Sequence, residues 1–140
     1  MKEIWADIYG FDGRYQVSTW GRVRGAKGIM KPYRNYKGYL KVGLTADGVC
    51  YKRRVNRLVA ETFLERQPYQ TEVNHKDGNK ANNSVTNLEW VSGEENRLFD
   101  RIQEAFWQTS AKYLEIMRRQ SGIAESEASY DEARTESNHP

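Results

Sequence analysis

Apolar and polar residues alternate through the first 55 positions, and then the period lengthens to that of a helix. In "GRYQVSTWGRVRG", residues 13–25, Tyr15 and Val17 alternate with polar neighbours; the pattern turns near Trp20–Gly21 and resumes at Val23. "GYLKVGL" sets Leu40, Val42 and Leu44 against Tyr39, Lys41 and Gly43, a period of two that marks a strand with one buried face. Asp47-Gly48 follows, and an Asp-Gly between two alternating runs is a strong hairpin signal, with Val49–Val55 as the return strand. These segments predict a twisted antiparallel sheet with one buried and one solvent-facing side.

From Asn56 the spacing is helical. "NRLVAETFL" puts Leu58, Val59, Thr62 and Phe63 on one face, with Asn56 expected as N-cap and Pro68 barring continuation. "TEV" and "NLEWV" then read as two short strands around the polar loop "NHKDGNKANNSVT", with Leu88 and Trp90 in the core. Within the loop, Asp77-Gly78 is a turn signal, and Asn79, Asn82 and Asn83 are expected as turn formers. A long helix follows from Ser92, its expected N-cap, with Glu94 and Glu95 in the first turn, where the helix dipole favours acids. Leu98, Ile102, Ala105/Phe106, Tyr113 and Met117 give it an apolar face, to pack against its own sheet or a partner. After Gly122 the acidic "IAESEASYDEARTESNHP" is expected to be disordered.

At 140 residues the chain suffices for one compact domain and a tail. No apolar run approaches the roughly 20 residues of a membrane span, and "MKEIWADIYG" lacks the pattern of a signal peptide. No membrane contact and a cytoplasmic location are the default expectations. The single Cys50 has no partner for an internal disulfide and is expected buried or half-buried. Cys50, His75 and His139 are too few for structural zinc. Charge is unevenly spread: residues 1–66 hold fourteen Lys/Arg against six Asp/Glu, and residues 67–140 eight against thirteen. The basic half points to a polyanion, with a solvated basic face as the alternative.

The basic residues fall in two clusters. Lys31, Arg34, Lys37 and Lys41 interleave with Tyr33, Tyr36 and Tyr39; Lys52, Arg53, Arg54 and Arg57 run from the hairpin into the helix. Strand alternation turns Lys52 and Arg54 one way and Arg53 the other, so one duplex cannot touch them all. Most are expected to meet DNA phosphates, which positions a duplex without reading it.

His75 stands at a strand end and is followed by turn residues rather than by apolar ones that would bury it. Amides return at Asn87, before the second strand, and at Asn96 in the helix. A strand–loop–strand–helix can gather residues 74–75, 87 and 96 around one point. A neutral imidazole there, with a reference pKa near ~6.5, could take a proton from water beside a divalent ion, as metal-assisted phosphodiester hydrolysis requires.

"VNHKDGNKANNSVTNLEWVSGEEN" resembles the core of HNH homing-type endonucleases, a ββα-metal nuclease family. "EIWADIYGFDGRYQVSTWGRVRG" resembles the N-terminal nuclease-associated DNA-binding module of many phage- and intron-encoded members. The resemblance implies an α+β fold, with a small N-terminal antiparallel β-sheet module over 1–55 and the ββα-metal core over 56–99; the chain's own pattern adds a helical extension over 100–120 and the acidic tail over 121–140. It implies that His75 activates the attacking water and that Asn87 braces the loop. It further implies that Asn96 and Asn74 coordinate Mg²⁺ or Mn²⁺. Position 74 is aspartate in one common version of the pattern, and position 56 is often histidine; here both are asparagine, so metal affinity without DNA is expected to be poor.

The expected function is metal-dependent hydrolysis of double-stranded DNA, homing-type or nicking, in a bacterial host's cytoplasm if the chain is phage-encoded. Two alternatives stand beside it. One is a catalytically weak or inactive DNA-binding regulator, in keeping with Asn74 and Asn56. The other is a phage interaction protein that meets a partner enzyme, or a second copy as a homodimer, through its C-terminal helix.

Overall fold

The computed structural model of the protein describes residues 1–121. The acidic tail and His139 lie outside the described residues. The described chain forms two compact units that meet at Ser92 and Gly93.

The first unit holds three small antiparallel sheets, and the alternating segments of residues 1–55, expected to form one sheet, make up two of them. Strands β1 (Trp5–Asp7), β2 (Gln16–Ser18), β3 (Val23–Gly25) and β4 (Gly28–Ile29) form the first sheet, in that order. Strands β5 (Tyr33–Arg34), β6 (Leu40–Ala46) and β7 (Val49–Arg54) form the second. Periodicity marks which residues are strand but carries no information on which strands pair, and segments of two or three residues end before they can join one ladder. The β6–β7 hairpin turns at Asp47 and Gly48, both at positive φ (51° and 77°), as a two-residue hairpin turn with this twist requires. Val42 and Leu44 of β6 point inward and are buried.

Strand β7 runs without a loop into helix α1 (Val55–Phe63). Arg54, in extended conformation, therefore takes the N-cap place, with no side-chain cap bond. Asn56, expected there, instead lies inside the first turn and is buried. Cys50, expected buried or half-buried, is exposed, because β7 is an edge strand whose side chains are nearly all open to solvent. Val55, Leu58, Val59 and Ala60 of α1 pack against Val17, Val23, Val42, Leu44, Val73, Leu88 and Trp90 in one core.

Strands β8 (Glu72–His75) and β9 (Leu88–Val91) form the third sheet, with a single 3₁₀ turn, Val85–Asn87, leading into β9. Trp90 fastens this pair to α1. Its indole Nε1 donates to the carbonyls of Leu64 (3.2 Å) and Ala60 (3.3 Å) at the end of α1, the latter also accepting the Leu64 N–H (3.0 Å). The Arg57 and Arg66 guanidinium groups lie over its ring at 5.3 and 4.8 Å.

The second unit contains helix α2 (Gly93–Ser121), which starts directly after Ser92. Glu94 and Glu95 stand in its first turn and Arg118 and Arg119 in its last, which suits the helix dipole at both ends. Glu115 pairs with Arg118 (2.9 Å) and with Arg119 (3.1 Å). Among the described residues no helix is long and apolar enough to cross a membrane.

The β2–β3 turn is seated on the loop between β8 and β9. At Gly21, φ is +86°, and an added Cβ would lie 2.6 Å from the Asn83 carbonyl oxygen. At Gly48, φ is +77°, and nothing lies within 4 Å of such a Cβ. Gly48→Ala should therefore cost about 1–2 kcal/mol, from backbone conformation alone. Gly21→Ala should cost clearly more than about 2 kcal/mol, because backbone must also move. Denaturant unfolding of the two variants checks this ranking, and equal losses would contradict the seating.

Candidate active site

The loop from β8 to β9 is largely polar, with Val85 near its end packed against the core, so few apolar contacts hold its shape. Side-chain amides and one carboxylate replace them. Asn87, buried at the loop's end, accepts the Asp77 backbone N–H at Oδ1 (3.1 Å). Its Nδ2 donates to Asp77 Oδ1 (2.9 Å) and to the Asn82 carbonyl (2.9 Å). Asp77 Oδ2 accepts from Asn82 Nδ2 (2.8 Å), and Asp77 Oδ1 also accepts the Asn79 N–H (2.8 Å). The Lys76 N–H donates to the Asn87 carbonyl (2.8 Å) and closes the base of the loop. Burial pushes the Asp77 carboxyl up, but the donors from Asn82, Asn79 and Asn87 outweigh it and hold the group below the usual carboxylate range.

His75 ends β8 beside this lattice and is buried. Its Nε2 meets Asn83 Oδ1 at 2.7 Å, and its ring lies 6.2 Å from that of Tyr39. Two cations lie over the Tyr39 ring: Arg54 at 4.2 Å and Lys80 at 4.7 Å. Lys80 is fixed there by donation to the Lys37 carbonyl (2.7 Å). Burial pushes the imidazole below its ordinary value of 6.5; the Asn83 bond and the Asp77 charge oppose this without cancelling it, and Lys80 adds to the fall. His75 is thus neutral at neutral pH, in an electropositive surround.

Of the three loop asparagines expected as turn formers, two are. Asn79 Oδ1 accepts the Ala81 N–H (3.0 Å), and Asn82 Oδ1 accepts the Ser84 N–H (3.5 Å). Asn83 instead turns inward, because His75 presents a buried nitrogen that needs a partner.

Asn74 pairs in register with Glu89, and its Nδ2 donates to Glu89 Oε1 (3.2 Å). Consecutive strand residues face opposite sides, so Asn74 and Glu89 share one face of the pair, and His75 and Leu88 the other. Asn96 lies near the start of α2, within the second unit.

Two family models match in tandem: the NUMOD4 motif over residues 3–45 and HNH endonuclease over residues 53–98. The DNA endonuclease I-HmuI of Bacillus phage SP01 is 43% identical over 90 residues, which are 63% of this chain and 52% of that protein. An uncharacterized HNH endonuclease of Acanthamoeba polyphaga mimivirus, L245, is 38% identical over 69% of this chain and 29% of its own length. A solved structure of DNA binding and cleavage by the HNH homing endonuclease I-HmuI superposes with a TM-score of 0.68 at 37% identity, covering 78% of this chain and 66% of that one. This chain belongs to the HNH endonuclease family. It spans about half of the phage endonuclease and less of the mimivirus protein.

HNH nucleases generally depend on a divalent metal ion. Among the described residues no group of three or more His, Cys, Asp or Glu could hold one. The β8–β9 pair does offer a neutral amide oxygen at Asn74 and the Glu89 carboxylate, both hard donors suited to Mg²⁺ or Mn²⁺. They fit such an ion only if water and phosphate oxygens complete its shell.

The basic residues of this HNH chain divide among several surfaces. Lys41 and Arg54 are register partners, as are Gly43 and Lys52, so Lys41, Lys52 and Arg54 share one face of the second sheet with Tyr33. Arg53 faces the other side, over the Tyr51 ring at 5.1 Å. Arg34 donates to the Gly38 carbonyl (3.3 Å) across the turn that carries Lys37, and Lys31 is exposed just before β5. Arg57 is drawn into the fold: it donates to the Thr71 carbonyl (2.8 Å), pairs with Glu61 and stacks on Trp90. Sequence reasoning missed Asn83, Tyr39, Lys80 and Glu89 as neighbours of the site. Only Lys80, a cation inside the histidine loop, carried a local signal.

His75 favours its neutral form in the fold, so its contribution to stability is complete above pH 6.5 and is lost as pH falls, when the unfolded chain takes up the proton first. Stability measured by denaturation should fall from about pH 6.5 towards pH 5, and less steeply in His75→Gln. Identical slopes in the two proteins would contradict a buried neutral imidazole.

Proposed function

We propose that this chain is a metal-dependent endonuclease that hydrolyses phosphodiester bonds in double-stranded DNA, as a homing-type or nicking enzyme. The observation that carries the reading is His75: a neutral, buried imidazole at the start of a loop locked by Asn87 and Asp77, with Arg54 and Lys80 over the neighbouring Tyr39 ring. I-HmuI, to which the chain is similar, is named a DNA endonuclease, and its solved structure is described as one of DNA binding and cleavage.

In this reading Lys41, Lys52 and Arg54, with Lys80 beside the histidine, attract the phosphate backbone and set the duplex against the loop. His75, held neutral, takes a proton from the attacking water. Asn87 acts through the loop, keeping the histidine at the end of β8 while the phosphate arrives. Asn74 and Asn96 are the ligands that the family resemblance assigns to Mg²⁺ or Mn²⁺, with the Glu89 carboxylate beside Asn74 on the face of the strand pair opposite His75. An ion held there would supply Lewis-acid polarisation of the phosphate and stabilisation of the leaving oxygen. With two neutral amides as ligands, affinity for the ion is weak until phosphate oxygens join it. The setting assigned to this chemistry is a bacterial host's cytoplasm.

Supercoiled plasmid incubated with the protein and Mg²⁺ or Mn²⁺ should be nicked or linearised. His75→Ala should lower the rate by about 100-fold or more, the scale of a lost general base. Asn74→Asp should lower the metal concentration needed for half-maximal cutting. Undiminished cutting by His75→Ala would remove the proposed base, and DNA retardation without cutting by either protein would favour a binding regulator.

A further inference from the structure

Asn83 carries no role in the reading above, yet its side chain is the hydrogen-bond partner of His75. Asn83 and His75 are both buried, at 4% and 6% exposure, so solvent is a poor substitute for either. An amide oxygen only accepts, so the ring nitrogen that Asn83 Oδ1 meets at 2.7 Å must carry the proton. A neutral imidazole has one N–H, and its other nitrogen then holds the free lone pair.

Asn83 is itself held from behind by the first sheet. Gly21 packs so closely on the Asn83 backbone that a Cβ would fall 2.6 Å from its carbonyl oxygen and 2.8 Å from its own Cβ. Two residues on, the Val85 N–H donates to the Thr19 carbonyl (2.9 Å). The turn that makes these contacts is tied by the fully buried Ser18, whose hydroxyl accepts the N–H groups of Trp20 (3.2 Å) and Arg22 (3.1 Å). Ser18 thus holds the turn, the turn seats Asn83, and Asn83 meets the histidine.

We propose that Asn83 is a positioning residue that fixes His75 as the Nε2–H tautomer and presents the Nδ1 lone pair as the proton acceptor, with the β2–β3 turn as its mount. The proposal rests on the reading of His75 as general base. It also gives the N-terminal sheet a second task besides any contact with DNA: it braces the catalytic histidine from 54 residues away in the chain, counting from Gly21. Free imidazole exchanges between its tautomers, and a base in the wrong one has an N–H where it needs a lone pair.

The test uses the full chain, ¹⁵N-labelled and metal-free, at a pH where His75 is neutral. Long-range ¹H–¹⁵N correlation spectra distinguish the two tautomers, and a His139→Gln background leaves one histidine to read. His75 should appear as Nε2–H in the wild-type side chain context and in Asn83→Asp, which retains an acceptor oxygen. In Asn83→Leu the signals should move to a mixture of tautomers, with kcat for plasmid cutting about 10- to 100-fold lower and KM little changed, the scale of loss when the partner orienting a histidine is removed. A wild-type His75 found as Nδ1–H overturns the proposal, even if Asn83→Leu fails to fold. So does a folded Asn83→Leu with an unaltered tautomer. If the tautomer changes as expected but His75→Ala still cuts at the wild-type rate, the base assignment fails, and Asn83 keeps only its hold on the tautomer.

Discussion

A buried amide, Asn87, is the constraint on which the candidate site depends. The loop between β8 and β9 has too few apolar side chains to pack, so its conformation must come from hydrogen bonds. One side chain supplies three of them: it accepts from Asp77 and donates to Asp77 and Asn82. Because Asn87 is buried, each of those bonds replaces water that cannot reach it, and losing the amide would strand its partners. The loop is consequently a rigid connection, although its composition is that of a flexible one.

Rigidity at the loop sets the chemistry of the histidine at its start. His75 sits between a strand that buries it and a lattice that keeps it from swinging out. Burial outweighs both the Asn83 bond and the Asp77 charge, so the imidazole stays neutral without a neighbouring carboxylate being removed. Positive charge stands one ring away, on Arg54 and Lys80 over Tyr39, and in the proposed reading it attracts phosphate while the imidazole remains a base. The metal side is built more sparingly. In the proposed reading, a neutral Asn74 beside Glu89 would hold an ion loosely by itself, which would tie cutting to the presence of DNA phosphate.

How much of this could be read from the chain depended on the range of the interactions. The Asp47-Gly48 hairpin, the α1 face at Leu58 and Val59, and strands β8 and β9 are local patterns, and their elements form as the spacing predicts. Division of residues 1–55 into two sheets is a matter of long-range pairing, which a period of two does not encode. Asn56 was misplaced because cap preference ranks residue types but does not foresee a strand that runs straight into a helix. Cys50 was misplaced because its type is usually buried, whereas its strand lies at an edge. Within the site, His75 and Asn87 stood out as a histidine at a strand end and an amide before the next strand. Asn83 did not, since composition treats it like Asn79 and Asn82, and only the fold separates the amide that bonds His75 from those that shape turns. Glu89 became a neighbour of Asn74 only once the register was known.

The central claim is that the histidine loop is locked before metal or DNA arrives. Native-state hydrogen exchange of the metal-free, DNA-free protein measures it directly, through the amides of Lys76, Asp77, Gly78, Asn79 and Ala81, each of which donates inside the loop or to its base. The account predicts that Lys76 and Asp77 exchange as slowly as the strands that flank them, because opening either means breaking the Asn87 lattice. Exchange of these two amides at the rate of an unstructured chain, slowed only when DNA is added, would contradict it.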